Sequence, residues 1–203
     1  MAIGPPNRRS LPYWTGSYAM NSRVKSVTVF CGARSGADAR WEQLAREVGA
    51  GLAQRGIGLV FGGGRNGLMG AVAQAAIDGG AKTTGVIPES LLSIEPAKDG
   101  LTELFIVDSM HTRKFMMSER ADAFLVLPGG IGTLEEFFET WTWRQLGLHA
   151  KPIVLLNAFD YYTPMLEFLA SGAEAGFIRA EHRDHIRVAT TVAEALRLLG
   201  SPN

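Results

Sequence analysis

The chain has a single cysteine, Cys31, in 203 residues, which excludes an internal disulfide framework and removes any redox reason to place the protein outside the cell. It also lacks net charge, with 20 Lys plus Arg against 20 Asp plus Glu. No long-range positive field therefore draws it to nucleic acid or to an anionic membrane, and any affinity for a phosphorylated ligand must be local. Apolar runs approaching the roughly 18 to 20 residues of a membrane span are absent. Arg8 and Arg9 resemble a twin-arginine export start, but Leu11-Pro12-Tyr13-Trp14-Thr15-Gly16 behind them is no apolar core, which argues against export. The expectation is a cytoplasmic protein with neither nucleic acid nor membrane among its partners.

What is present fits one ordinary domain. Hydrophobic residues make up 46% and charged ones 20%, well outside the low-hydrophobicity, high-charge region of disordered chains. Glycine is over-used, with 24 residues where a usual share of ~7% would give roughly 14. Residues 1–22 read as a Pro/Gly/aromatic arm outside the core, with Met20 as an alternative start, and residues 23–203 as one domain.

From Val27 onward, short β-branched or apolar runs alternate with helical patterns, the rhythm of βαβ units. Strands are expected at 27–31, 57–61, 83–87, 104–107, 124–127, 153–156 and 186–188. Helices are expected from Asp38 to the break at Gly56, then over 68–77, 111–121, 131–145, 164–173 and 192–199. The run at 124–127 is apolar throughout, as a central parallel strand buried on both faces should be. The resulting fold class is α/β, a single-domain, doubly wound and mostly parallel Rossmann-like sheet, which places ligands outside the carboxyl ends of its strands.

Three glycine-rich turns fall at those ends. In Pro128-Gly129-Gly130-Ile131-Gly132-Thr133-Leu134-Glu135-Glu136 the backbone curls through glycines into a helix, aiming N–H groups and the helix dipole at one anion, with phosphate the obvious occupant. The bland alternative is a tight turn capped by Thr133. Leu134, Phe137, Phe138 and Trp141 form the expected buried stripe, so Glu136 projects at the rim of the same turn. The helix N-terminus nearby should favour its ionised form.

Gly62-Gly63-Gly64-Arg65-Asn66-Gly67 matches G-x-G-x-x-G, with Glu89 in the position of a ribose-binding acid. It follows the second strand rather than the first, however, and no second domain remains to hold a hydride acceptor. Cys31-Gly32-Ala33-Arg34-Ser35-Gly36 lacks the ending of a P-loop and reads as a structural turn. Met110-His111-Thr112-Arg113-Lys114 brings a guanidinium and an ammonium to the same sheet edge as the Pro128 turn. The histidines His111, His149, His182 and His185 read as surface residues rather than metal ligands, Cys31 as a small buried hydrophobe, and none of the five lysines as a Schiff-base site.

Taken together, Gly62-Gly63-Gly64-Arg65-Asn66-Gly67-Leu68-Met69-Gly70, Met110-His111-Thr112-Arg113-Lys114 and the Pro128 to Glu136 motif resemble the Lonely Guy (LOG) family, long misannotated as lysine decarboxylases. The resemblance covers about residues 27–199. It implies phosphoribohydrolase chemistry: cytokinin riboside 5′-monophosphate or AMP plus water gives free base and ribose 5-phosphate, with no cofactor or metal. By position it implies that Arg113 and Glu136 form the catalytic pair and that Lys114, Glu95 and Thr142 contact substrate. It implies likewise that residues 130–136 cradle the phosphate, with Gly129, Gly130, Ile131, Gly132, Thr133, Leu134 and Glu135 and also Gly62, Gly63 and Gly64 among the substrate-binding residues. Ala33 and Arg34 stand where the family tends to have serines. A homodimer or higher homo-oligomer is implied, with sites near the subunit boundary. Non-catalytic nucleotide or molybdenum-cofactor carriers share this fold and are the alternative reading.

A carboxylate beside the anomeric carbon suits N-glycoside cleavage, which passes through an oxocarbenium-like state. Arg113 can hold the phosphate or offset charge on the departing base, and both roles stand open at this stage.

Overall fold

A computed structural model describes residues 24–200; the expected arm at 1–22 lies outside the described residues. The chain alternates β1 (Ser26–Phe30), α1 (Arg40–Gln54), β2 (Gly58–Phe61), α2 (Gly67–Asp78), β3 (Thr83–Pro88), β4 (Glu103–Val107), α3 (Met110–Glu119), β5 (Ala123–Val126), α4 (Ile131–Gln145), β6 (Ile153–Leu156), α5 (Thr163–Glu174), α6 (Ala180–Arg183), β7 (Ile186–Ala189) and α7 (Val192–Leu199). The strands form one seven-stranded sheet in the order β4-β3-β2-β1-β5-β6-β7, and every pairing in it is parallel.

The strand pattern explains the layers. Side chains alternate across a strand, so Ala123 and Leu125 enter one core with α1, α2 and α7. Phe124 and Val126 enter the other with α3, α4 and α5. Residues of β1 and β6 divide the same way, with Val154 and Leu156 on one face and Ile153 and Leu155 on the other. Each such fully buried aliphatic side chain contributes about 1.5 to 3 kcal/mol.

Strand and helix ends fall within one or two residues of the sequence expectation, and at two of them the shift has a local reason. Asp38 lies ahead of α1, where its carboxylate accepts the Arg40 N–H at 2.9 Å. Helix α3 starts one residue early because Ser109 caps it, its Oγ accepting the Thr112 N–H at 3.1 Å. The four-residue helix α6 and a 3-10 turn at Ala158–Asp160 carry no periodicity that a sequence reading could detect.

Strand order reverses between β1 and β5: the chain moves outward from β1 to β4 and then returns to lay β5 against the other side of β1. In open parallel sheets such a reversal separates the two flanking connections and opens a crevice at the carboxyl ends.

Candidate active site

The crevice is there. A cleft of about 690 Å³ opens where β1 and β5 end, and its walls include the Cys31 to Gly36 turn, the 128–133 turn, Glu95, Arg113 and Glu136. Among the three glycine turns, the first and the third thus form the cleft walls. The first turn, read from sequence as merely structural, is therefore a wall of the site, brought in because β1 and β5 are adjacent in the sheet.

In the third turn, four successive carbonyls are each held by a protein donor. The Leu127 carbonyl accepts the Tyr162 hydroxyl at 2.7 Å and the Gly129 carbonyl the Tyr161 hydroxyl at 2.7 Å. Pro128 accepts the Gly32 N–H at 3.2 Å and Gly130 the Leu134 N–H at 3.1 Å. In a trans peptide the C=O and the following N–H point in opposite directions. Turning these carbonyls into the protein therefore turns the N–H groups of Gly130 and Ile131 the other way, where they join the free N–H groups at the start of α4. The N-cap is Gly130, so Thr133 lies inside the first turn of the helix rather than capping it. Its side chain lies over the turn: a Cβ on Gly129 would sit 2.1 Å from Thr133 Oγ1.

Arg113 projects from α3 into the floor of the cleft and is only 6% exposed. Its Nη2 donates to the Gly62 carbonyl at 3.1 Å and its Nη1 lies 3.7 Å from Met110 Sδ, while Nε is buried without a protein partner. Two carboxylates feel its charge. Glu136 is pushed up to about 7 by burial, which outweighs the opposing pull of Arg113. The expectation that the helix N-terminus would favour its ionised form is thereby corrected: loss of solvent dominates, and the dipole at a helix start is worth only about 0.3 to 1 kcal/mol at exposed positions. Burial raises Glu95 in the same sense, again against Arg113, and its Oε1 is buried without a hydrogen-bond partner.

The second glycine turn does not line the cleft. It carries the groups that do. A Cβ on Gly62 would fall 1.9 Å from Arg113 Nη2, and one on Gly64 would fall 2.2 Å from Glu95 Oε1. The segment bearing Glu95 is fastened to this turn through Arg65 N–H to Pro96 O at 3.0 Å and Lys98 N–H to Gly63 O at 2.8 Å. Glycines are needed here for close approach by the two side chains.

The remaining expected contacts lie elsewhere in the single chain. Lys114 joins α3 to α4 through ion pairs with Glu135 and, at 2.9 Å, with Glu139. Leu134 packs against the core beside Phe137 and Trp141. Thr142 is exposed farther along α4 with its hydroxyl donating to Phe138 O at 2.7 Å, and it does not reach the cleft. Ile131, Gly132, Thr133 and Glu135 do. Cys31 is buried as expected, with its thiol pushed further up by burial. Of the histidines expected at the surface, His111 is exposed, whereas His149 is buried and held near 4 by loss of solvent, and the partly buried His182 and His185 pack 5.5 Å apart. Met110, which opens the motif of Arg113, lines the cleft too, as do Trp41 and Tyr161, which no motif announces.

A family model described as possible lysine decarboxylase matches residues 69–199. The cytokinin riboside 5′-monophosphate phosphoribohydrolase of Rhodococcoides fascians is 48% identical over 197 residues, covering 97% of this chain and 100% of the relative. A cytokinin riboside 5′-monophosphate phosphoribohydrolase of Oryza sativa subsp. japonica is 46% identical over 173 residues, 85% of this chain and 72% of the relative. Among solved structures, the molybdenum cofactor carrier protein of Chlamydomonas reinhardtii superposes with a TM-score of 0.65 at 21% identity, covering 86% of this chain and 95% of that one; at that identity the likeness is one of fold. With one relative matched over its full length at 48% identity and the three motifs meeting around one cleft, this chain belongs to the LOG family, whose model carries the description possible lysine decarboxylase.

Proposed function

We propose that the protein is a phosphoribohydrolase that cleaves the N-glycosidic bond of cytokinin riboside 5′-monophosphate or AMP, releasing free base and ribose 5-phosphate. The observation that carries this reading is the convergence of Arg113, Glu136 and the N–H groups of the 129–133 turn on one cleft. The family description as a decarboxylase finds no support in that cleft, whose walls, among the described residues, contain no lysine to hold an imine-forming cofactor.

The turn takes the 5′-phosphate on its amides and the helix dipole. Glu136, raised to about 7, has the affinity for a proton that a general base needs near neutral pH. It accepts a proton from water as the water oxygen bonds to the anomeric carbon; the carbon–nitrogen bond breaks with its electron pair leaving on the base, which takes up a proton from solvent, and Glu136 returns its own to solvent. In its ionised state the same carboxylate opposes the positive charge of the oxocarbenium-like state. Glu95, with its unpartnered Oε1, is an acceptor for a ribose hydroxyl. Arg113 holds negative charge on the substrate against the floor of the cleft.

The 5′-phosphate should be required. Incubation with AMP, isopentenyladenosine monophosphate and adenosine, followed by assay for free base and ribose 5-phosphate, should show turnover of the monophosphates and a loss of about 10² or more in kcat/KM for adenosine, as when binding energy from a remote group is withheld. Equal turnover of adenosine and AMP would remove the phosphate assignment of the turn.

Assembly into at least a homodimer belongs to the same reading. Helix α4 is apolar beyond its buried face: Ile131 is 87% and Leu146 65% exposed, and Trp143 is half-buried on the same helix. A second subunit covering that face would bring Thr142 toward a bound substrate. Sedimentation at assay concentration should show a dimer or larger species, and a fully active monomer would contradict the assignment. A cytoplasmic setting is consistent with the lone cysteine and with the finding that, among the described residues, no helix is long and apolar enough to cross a membrane.

A further inference from the structure

The connection after β6 holds two consecutive non-glycine residues in the left-handed region, Phe159 at φ 55° and Asp160 at φ 58°. A bulky residue rarely adopts that conformation, and such strain persists only where surrounding contacts over-determine it. Here they do. Asn157 Oδ1 accepts the Tyr162 N–H at 2.7 Å and Asn157 Nδ2 donates to Thr163 Oγ1 at 3.0 Å. Trp41 packs edge-to-face with both Phe159 and Tyr161, at 5.3 and 5.5 Å between ring centroids.

The strained bend delivers two hydroxyls to one target. Tyr161 and Tyr162 reach back 32 and 35 residues to donate to Gly129 O and Leu127 O. The two bonds have unequal consequences. The peptide after Leu127 ends on Pro128, which has no N–H, so Tyr162 orients no donor. The peptide after Gly129 ends on Gly130, whose N–H belongs to the anion-facing set. That peptide lies between two glycines, and a Cβ at Gly130 would meet nothing within 4 Å. No side-chain packing on Gly130 opposes a flip of this plane, which glycine permits at little steric cost.

We propose that Tyr161 is a positioning residue for the phosphate-binding turn, its hydroxyl locking the Gly129–Gly130 peptide so that the N–H and not the carbonyl faces the 5′-phosphate. This rests on the reading of the turn as the phosphate site. Losing the lock lets a carbonyl oxygen face the anion, so binding of phosphorylated ligands weakens while the handling of the base is untouched.

The test uses the full-length parent, Tyr161→Phe and Tyr162→Phe. Calorimetric titration with ribose 5-phosphate and steady-state kinetics with AMP are combined with inhibition by adenine. For Tyr161→Phe the dissociation constant for ribose 5-phosphate and the KM for AMP should both rise about tenfold, the scale of one hydrogen bond to a charged group, with kcat within about twofold and the adenine inhibition constant unchanged. Tyr162→Phe should lower the melting temperature and leave KM unchanged. A Tyr161→Phe enzyme that binds ribose 5-phosphate like the parent overturns the proposal alone, as does one in which phosphate and adenine affinities fall together. A parent that does not bind ribose 5-phosphate overturns the phosphate assignment and the proposal with it.

Discussion

Gly62→Ala should cost about as much activity as deleting the Arg113 side chain, although Gly62 does not line the cleft. The added Cβ would lie 1.9 Å from Arg113 Nη2, 3.0 Å from its Cζ and 3.1 Å from Met69 Sδ. To make room the guanidinium, only 6% exposed, must give up its hydrogen bond to the Gly62 carbonyl and shift into the cleft whose floor it forms. The expected result is a fall of about 10² to 10³ in kcat/KM for AMP, the range seen when one preorganised charge-stabilising group is removed. A destabilisation of about 1 to 3 kcal/mol should accompany it as the buried carbonyl and guanidinium lose each other. Because Arg113 also holds the ground state in this reading, Arg113→Ala and Gly62→Ala should both raise KM as well as lower kcat. Gly64→Ala is a graded control: its Cβ would meet Glu95 Oε1 at 2.2 Å, but that atom has no hydrogen bond to give up, so the loss should be smaller. Kinetics alongside thermal melting checks all three variants. A Gly62→Ala enzyme with parental kcat/KM would show that Arg113 does not need its seat on this turn.

The second glycine turn also shows where sequence reading runs out. Its G-x-G-x-x-G spacing looks like a ligand loop because glycines at a strand end permit close backbone approach to something. Spacing alone cannot tell whether that something is a phosphate or the protein's own Arg113 and Glu95. The alternation of strands and helices, by contrast, is legible to within a residue or two, because a parallel sheet buried on both faces needs continuous apolar runs such as 123–126 and 153–156, and helices such as α1 and α7 bury one 3.6-residue stripe. The partners of the 129–133 turn were not legible. Tyr161 lies 32 residues from Gly129, and only the placement of β6 beside β5 brings them together. The acidity of Glu136 escapes a sequence reading for a related reason: a helix N-terminus is visible in sequence, whereas the burial that outweighs it is set by tertiary packing.

That burial shapes the sharpest expectation for the catalytic carboxylate. Glu136→Gln keeps the size and most of the hydrogen bonding of the side chain but can neither accept a proton nor oppose an oxocarbenium ion. If Glu136 acts on the transition state, kcat and kcat/KM should fall together by about 10² or more while AMP still binds. The parent's pH profile carries the second half of the test. With the carboxyl raised to about 7, the active ionised form is scarce at pH 5, so the rate should climb with pH and level off above about 7; the Gln variant should lose that limb. Stability should move the opposite way. A carboxyl whose folded-state value lies above its unfolded value of 4.5 favours the fold while protonated, fully so below 4.5, and that contribution is lost as pH rises through about 7. At pH 8 the parent therefore carries a buried charge that Gln lacks, and Glu136→Gln should melt higher than the parent there, the gain in stability being at most about 3 kcal/mol because each tenfold change in proton affinity is worth about 1.4 kcal/mol. At pH 4.5 the two should melt alike. A variant that hydrolyses AMP as fast as the parent would reduce Glu136 to a partner of the helix start and leave the fold with the carrier reading; a variant slower yet no more stable at pH 8 would locate the pH-dependent group elsewhere in the cleft.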